Sequence, residues 1–280
     1  MELKQIRFDA VKKEWDILQG MSPEELDNVN GRSRLGCDIV DYYFFEHRLK
    51  TKGNKGINFY EFVDQIEFYK TKPYIQTLLA YCDKKNRYKD SDVKRYYYIY
   101  GLTFGRINAF KITNALKMYH RYKPKRILDP FCGFGGRLSA ALMLGIPYVG
   151  LDMNVDLKPD YERLMGDFPS PNSCIKFQDC NTFDYSSLDY DMVFTSPPYE
   201  NIEVYPNNPV RTTKEWDTFY REIFQKLWDN LNIGGIFAIN IHKKIYDSVL
   251  VDMFGECNEK ILLTKSSRNE YVEYIYVWVV

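Results

Sequence analysis

Short apolar runs alternate with stretches of helical length through the second half of the chain. The runs Arg126–Asp129, Tyr148–Asp152, Cys174–Gln178, Met192–Thr195, Ile236–Ile241, Ile261–Thr264 and Tyr271–Val280 predict strands. Between them Arg137–Leu144, Lys158–Met165, Lys214–Asn230 and Lys244–Phe254 predict helices. Strands that alternate with helices predict an α/β architecture, a parallel sheet covered on both faces. The last strand follows its predecessor across Ser266-Ser267-Arg268-Asn269, which predicts an antiparallel hairpin at the end of the sheet. The first half reads differently. Helical periodicity shows in Glu61–Tyr69 and Ala109–Tyr122, and the Gly, Asn and Lys content of Thr51–Gly56 predicts a loop.

Composition narrows the class. The 280 residues, 45% apolar and 27% charged, suit one large α/β domain with an appendage and exclude a disordered chain. No run approaches the ~20 apolar residues of a membrane span. The first seven residues lack an apolar signal core, so an intracellular, soluble protein is expected, in a bacterial cytoplasm or nucleoid, a virus-infected cell or a nucleus. Six scattered cysteines without a C-x-x-C pair fit a reducing compartment, and three dispersed histidines predict no metal site.

The zero net charge hides an asymmetry. Residues 1–128 carry 25 Lys+Arg against 16 Asp+Glu, and residues 129–280 carry 13 against 22. Between Lys84 and Arg126 stand 13 basic residues and two acids, interleaved with tyrosines such as Tyr96-Tyr97-Tyr98 and Tyr100. That mixture suits a phosphate backbone and exposed bases. A solvated helix face with tyrosines packed beneath it would read the same.

Candidate chemistry begins at Arg126-Ile127-Leu128-Asp129-Pro130-Phe131-Cys132-Gly133-Phe134-Gly135-Gly136-Arg137, a strand, a glycine turn and a helix start. Glycines let backbone turn sharply beside a ligand. A dinucleotide fingerprint needs a third glycine where Leu138 stands, and no Gly-Lys-Ser/Thr is present, so nicotinamide cofactors and a P-loop are disfavoured. The next strand ends in Asp152, placed to accept from ribose hydroxyls. The third ends at Asp179, placed to accept from an adenine amino group. Acids at successive strand ends face the sheet edge where such folds bind ligands.

The fourth strand runs into Ser196-Pro197-Pro198-Tyr199. Two prolines fix φ and remove two donors, which leaves carbonyls as acceptors. Ser196 adds a side-chain acceptor and Tyr199 a flat face. Such a site accepts both hydrogens of an exocyclic amine and stacks on its ring. It would also stabilise the positive charge that develops when that nitrogen attacks a methyl donor. A base in a duplex has to be flipped to reach it.

With both motifs in place, the sequence resembles the class I S-adenosylmethionine-dependent methyltransferases, specifically the amino-methylating DNA methylase group. Asp129–Gly135 matches the group's F-x-G-x-G loop, and Thr195–Tyr199 its [DNS]-P-P-[YFW] motif. The resemblance implies a Rossmann-like seven-stranded methyltransferase sheet with an antiparallel last strand over residues 106–280, preceded by a mostly helical, Lys/Tyr-rich substrate-binding extension over 1–105. It implies S-adenosyl-L-methionine as cofactor. Phe131 and Gly133 to Gly135 would face its methionine end, with Asp129 and Pro130 beside them. Asp152 with Met153 would hold the ribose, and Asp179 with Cys180 the adenine. Asn108 and Phe110 belong to a looser match with the element that closes over the cofactor carboxylate. Ser196, Pro197, Pro198 and Tyr199 would hold the target base.

The implied partner is DNA, with RNA as the alternative. A second alternative is a catalytically degenerate subunit that binds nucleic acid beside an active partner. Serine after threonine in the tetrapeptide is similar to cytosine-N4 enzymes, ahead of adenine-N6. Two departures stand out. No room remains after Tyr199 for a separate target-recognition domain, so residues 1–105 and the loop Glu200–Asn208 are expected to read the substrate. Arg137 replaces a small residue, and an exposed helix position is expected for it. Asn240 and His242 share one side at a strand end, where they would line the rim or cap.

Overall fold

A computed structural model describes residues 3–53, 55–200, 211–263 and 272–280. Its centre is one seven-stranded sheet. The strands are β1 (Ile127–Asp129), β2 (Tyr148–Asp152), β3 (Cys174–Phe177), β4 (Met192–Thr195), β5 (Ile236–Ile241), β6 (Glu259–Leu263) and β7 (Glu273–Val279). They lie in the order β3-β2-β1-β4-β5-β7-β6. β1 to β5 pair in parallel, and β7 runs antiparallel between β5 and β6, with Ile239 opposite Tyr276. This is the seven-stranded Rossmann-like sheet with an antiparallel last strand that the resemblance implied. The turn expected at 266–269 and most of the loop 200–208 lie outside the described residues.

β1, β4 and β5 are buried almost throughout, because parallel strands covered on both faces carry apolar side chains up and down. One face packs on α1 (Phe8–Gln19), α2 (Pro23–Asp27), α3 (Cys37–Lys50), α8 (Ile112–Tyr122), α9 (Gly136–Met143) and α10 (Lys158–Asp167). The other face packs on α11 (Thr213–Asp229). Trp216, Phe219, Tyr220, Ile223, Phe224 and Leu227 recur along α11 at the spacing of a single helical stripe, and a Thr212–Glu215 capping box starts it. The helix expected over Lys244–Phe254 is interrupted. α12 (Lys243–Ile245) and α13 (Val251–Phe254) flank a π-helical stretch at Tyr246–Leu250, where Tyr246 stacks on Tyr276 at 3.7 Å.

The residues before 106 pack in two places. Val11, Trp15, Leu18, Ile39, Val40, Tyr43 and Phe44 join the core of the sheet itself. α4 (Phe59–Asp64), α5 (Ile66–Lys70), α6 (Pro73–Lys84) and α7 (Asp92–Thr103) gather around a separate apolar cluster with Phe59, Phe62 and Ile99 at its centre. The periodic stretch Glu61–Tyr69 is therefore two short helices. Much of the tyrosine run serves packing: Tyr100 is buried and donates to the Ile57 carbonyl at 3.0 Å, and Tyr97 meets Phe45 and Phe59 edge-on. Among the described residues no helix is long and apolar enough to cross a membrane.

Candidate functional site

The carboxyl ends of β1 and β4 and the first residue of β2 meet on one side chain. Asp129 has no exposed surface, and its carboxylate accepts from Arg137 Nε at 2.6 Å, Tyr148 Oη at 2.5 Å, Thr195 Oγ1 at 2.6 Å and the Phe131 N–H at 3.2 Å. Its expected place beside the cofactor is corrected: with every lone pair taken, Asp129 ties three strand ends and α9 together. Arg137 is corrected too. It is 3% exposed, it also donates to the Phe131 carbonyl at 2.6 Å, and its guanidinium lies over the rings of Phe110 and Phe194. Burial weakens its hold on the proton, but Asp129 more than compensates and keeps it charged.

The glycine loop turns twice through left-handed backbone, at Gly133 (φ +61°) and Gly135 (φ +73°). Gly133 is open: a Cβ there would meet only the Phe131 carbonyl, 3.9 Å away. Gly135 instead abuts Phe44 of α3, within 2.7 Å of where a Cβ would lie. It shapes the loop rather than facing the ligand side. A Cβ on Gly136 would overlap the Phe110 carbonyl oxygen. Gly136→Ala is expected to push the 106–111 segment away, with about 1–3 kcal/mol lost to overpacking. A urea midpoint equal to wild type would contradict this.

That segment is held from the N-terminal side. Arg48 of α3 donates to the Ile107 carbonyl at 2.9 Å, while buried Asp41 pairs with both Arg48 and Lys4. Lys111 donates to the carbonyls of Gly31 and Ser33. No local pattern signals this clamp, because its partners lie 59 to 80 positions apart.

A cavity of about 1160 Å³ opens where these parts meet. Asn108, Phe110, Phe131, Gly133, Ser196, Pro197 and Tyr199 all line it, so the structure brings together both motifs and the looser pre-loop match. Asn240 and His242 line it as well. Asn240 is buried, and its Nδ2 donates to the Tyr274 carbonyl at 3.0 Å. That hydrogen bond turns its Oδ1 toward Ser196 Oγ (3.2 Å) and Tyr199 Oη (2.9 Å). Tyr199 Oη also reaches Glu273 Oε1 at 3.0 Å. His242 accepts from the Lys244 N–H at 3.2 Å and so caps α12. One tetrapeptide expectation is corrected: the Pro198 carbonyl is not bare, since Tyr220 Oη donates to it at 2.6 Å. Among the described residues no backbone donor reaches the Pro197 carbonyl.

The expected adenosine-side residues stand at neighbouring strand ends, outside the cavity wall. Asp152 ends β2, with Met153 exposed beside it, and Asp179 with buried Cys180 follows β3. Pro130 is buried within the loop. Cys132, which does line the cavity, lies 4.0 Å from Asp152 Oδ2. Burial pushes the Asp152 carboxyl up to about 7, against the pull of the Asn154, Gly133 and Met153 N–H groups. Burial also raises Cys180, to about 12, and Cys132, so neither thiol is activated as a nucleophile.

Asp152 sets an expected pH dependence. Between pH 3.8 and about 7 the folded protein keeps a proton that the unfolded chain has lost, so this group's contribution to stability falls as pH rises through that window. A ligand that donates to the carboxylate should show the reverse. S-adenosylhomocysteine affinity should rise about tenfold per unit toward pH 7 and then level. Calorimetric titrations of wild type and Asp152→Asn check it, and an equal slope in both would remove Asp152 from the site.

No family model matches the chain, and no curated protein does. Solved structures do resemble it in fold. TrmN from Thermus thermophilus is 15% identical, with a TM-score of 0.49 over 61% of this chain and 49% of its own. An rRNA methylase from Streptococcus thermophilus is 15% identical, with a TM-score of 0.41 over 58% of this chain and 94% of its own. NSun6 from Pyrococcus horikoshii, solved with SFG, is 10% identical, with a TM-score of 0.45 over 61% of this chain and 52% of its own. The match thus spans about half the length of TrmN and of NSun6.

Proposed function

We propose that this protein is an S-adenosylmethionine-dependent methyltransferase acting on the exocyclic amino group of a base in a nucleic acid. One observation carries the reading. Ser196 Oγ, the Pro197 carbonyl and the Tyr199 ring share a cavity with Phe131 and the open Gly133, on a sheet of methyltransferase topology. The residues present fit the cofactor. Gly133 leaves space for close approach, Asp152 ends β2 where ribose hydroxyls need an acceptor, and Asp179 lies two residues past the end of β3. The bound cofactor supplies an electrophilic methyl on a sulfonium.

The chain's own groups do the rest. Asn240 Oδ1 accepts the Ser196 hydroxyl's hydrogen bond, beside Tyr199 Oη at 3.1 Å, which leaves a serine lone pair for the amine. Ser196 and the Pro197 carbonyl then accept the two amine hydrogens and localise the nitrogen lone pair. The same acceptors stabilise the positive charge as it forms. The rigid Pro197-Pro198 turn fixes the angle of attack, and the tyrosine ring supplies a stacking face. A base must leave its stack to enter.

This chemistry belongs to RNA and DNA alike, so the RNA alternative stands level with the DNA reading. Thr195 no longer speaks for cytosine, since its hydroxyl is spent on Asp129. The preference for cytosine N4 over adenine N6 now rests on Ser196 alone. The test is direct. Labelled S-adenosylmethionine is incubated with separate RNA and DNA pools, and each is digested to nucleosides and read by mass. N4-methylcytosine or N6-methyladenine, as ribo- or deoxynucleoside, is expected. Label on a ring carbon, or on no nucleoside, would overturn the reading.

A further inference from the structure

The basic stretch is divided by the fold. Arg95, Arg106, Lys111, Lys117, Arg121 and Arg126 are engaged internally, by carboxylates or by backbone carbonyls. The remaining charge concentrates in the turn from α6 to α7. Lys84, Lys85, Arg87 and Lys89 fall within six residues, and no carboxylate among the described residues pairs with them. The nearby Asp83 is engaged by Arg95 at 3.0 Å.

The same turn displays aromatic faces. Tyr81 is 39% exposed and Tyr88 43%. The Arg87 guanidinium lies 5.9 Å from the Tyr81 ring and 5.1 Å from that of Tyr98, and Tyr88 meets Tyr98 at 5.8 Å. The turn is ordered by its own hydrogen bonds, from Arg87 N to the Cys82 carbonyl and from Ser91 N to that of Tyr88. Two of its residues sit in left-handed backbone, Asn86 at φ +50° and Tyr88 at φ +54°. For a tyrosine that conformation is strained, and strain persists where a side chain's position is wanted.

We propose that the α6–α7 turn is a second binding point for single-stranded nucleic acid, with Tyr81 and Tyr88 stacking on bases and Lys84, Lys85, Arg87 and Lys89 holding phosphates. Alternating flat faces and unpaired cations is what a strand without a fixed sequence requires. The turn is placed to serve the cavity. α7 leads from it for 12 residues, about 18 Å, and Arg106 just past its end lines the cavity wall. On this proposal a strand whose target base sits beside Ser196 extends past Arg106 to the turn, and a trinucleotide is too short to engage both. The proposal rests on the nucleic-acid reading above.

Two variants test it, by fluorescence anisotropy on a labelled strand of about 16 nucleotides, the upper end of such site sizes. Lys84→Glu/Lys85→Glu/Lys89→Glu is expected to weaken binding at least tenfold. It should also flatten the dependence of log affinity on log salt by about two, at ~0.7 for each phosphate no longer neutralised. Tyr88→Gly removes the ring, including its contact with Tyr98, and relieves the left-handed strain, and a urea midpoint near wild type checks that it does not act by unfolding. It should weaken binding about tenfold and leave the salt dependence unchanged. Both should keep wild-type affinity for S-adenosylhomocysteine and wild-type methylation of a trinucleotide. Wild-type strand affinity in both variants would overturn the proposal while leaving the enzymatic reading intact. So would poly-glutamate competing as well as the strand, which would mark a surface for acidic proteins. No strand binding by the wild-type protein would instead overturn the nucleic-acid reading itself.

Discussion

Arg137→Ala is expected to lower folding stability by about 3–5 kcal/mol, the range for removing one partner of a buried ion pair. Asp129 would remain with no exposed surface, its charge uncompensated in the centre of the sheet. Tyr148 and Thr195 would still donate to it, but two neutral hydroxyls cannot replace a guanidinium. The damage would reach the candidate site. Arg137 also holds the Phe131 carbonyl, and Phe131 is where the glycine loop meets the cavity. Cofactor affinity should therefore fall in any preparation that still folds. Asp129→Asn/Arg137→Gln keeps hydrogen bonds without the charges and should recover more than half of the lost stability. Urea midpoints of the single and double variants read the effect. A single variant within about 1 kcal/mol of wild type, the span of an exposed pair, would show that the pair is not buried in solution.

Local pattern and remote packing part company at this residue. Strand positions, the order of motifs and the antiparallel last strand were legible because each depends on local pattern. Apolar runs a few residues long, a glycine turn and a double proline announce themselves over a few positions. Arg137 does not. An arginine in the first turn of a helix is most often solvated, and it is buried here only because Phe110 and Phe194, from distant segments, close over it. Asp129 misled for the same reason: its place in the motif is local, whereas its partners at 137, 148 and 195 are not. The clamp from Arg48 to Ile107 likewise joins segments with no shared pattern. The residues before 106 read as one appendage by composition, yet α1 and α3 complete the core beneath the sheet. Burial against remote elements is the information a single sequence carries least well.

The second large effect is expected in turnover. Ser196→Ala should lower kcat about 10²-fold, the scale for deleting one group that stabilises charge formed only in the transition state. Asn240→Leu, which leaves Ser196 intact, should lower it comparably. The reason lies in where one proton goes. The Asn240 amide is oriented by its Nδ2 hydrogen bond to the Tyr274 carbonyl, so only its Oδ1 can face Ser196. With that acceptor present the serine proton points inward, and a lone pair is left for the amine. With leucine there, the serine hydroxyl keeps only Tyr199 Oη, 3.1 Å away, as a side-chain partner, and its proton can turn toward the substrate nitrogen, where it would compete for the attacking lone pair. If Asn240 acts through Ser196, the two losses should not add. Ser196→Ala/Asn240→Leu should be only slightly slower than either single variant, a coupling that the double-mutant cycle isolates. Affinity for S-adenosylhomocysteine should stay near wild type throughout, because neither group belongs to the acids at the ends of β2 and β3. Additive losses would make Asn240 an independent contributor, and a parallel loss of cofactor affinity would place Ser196 on the cofactor rather than on the base.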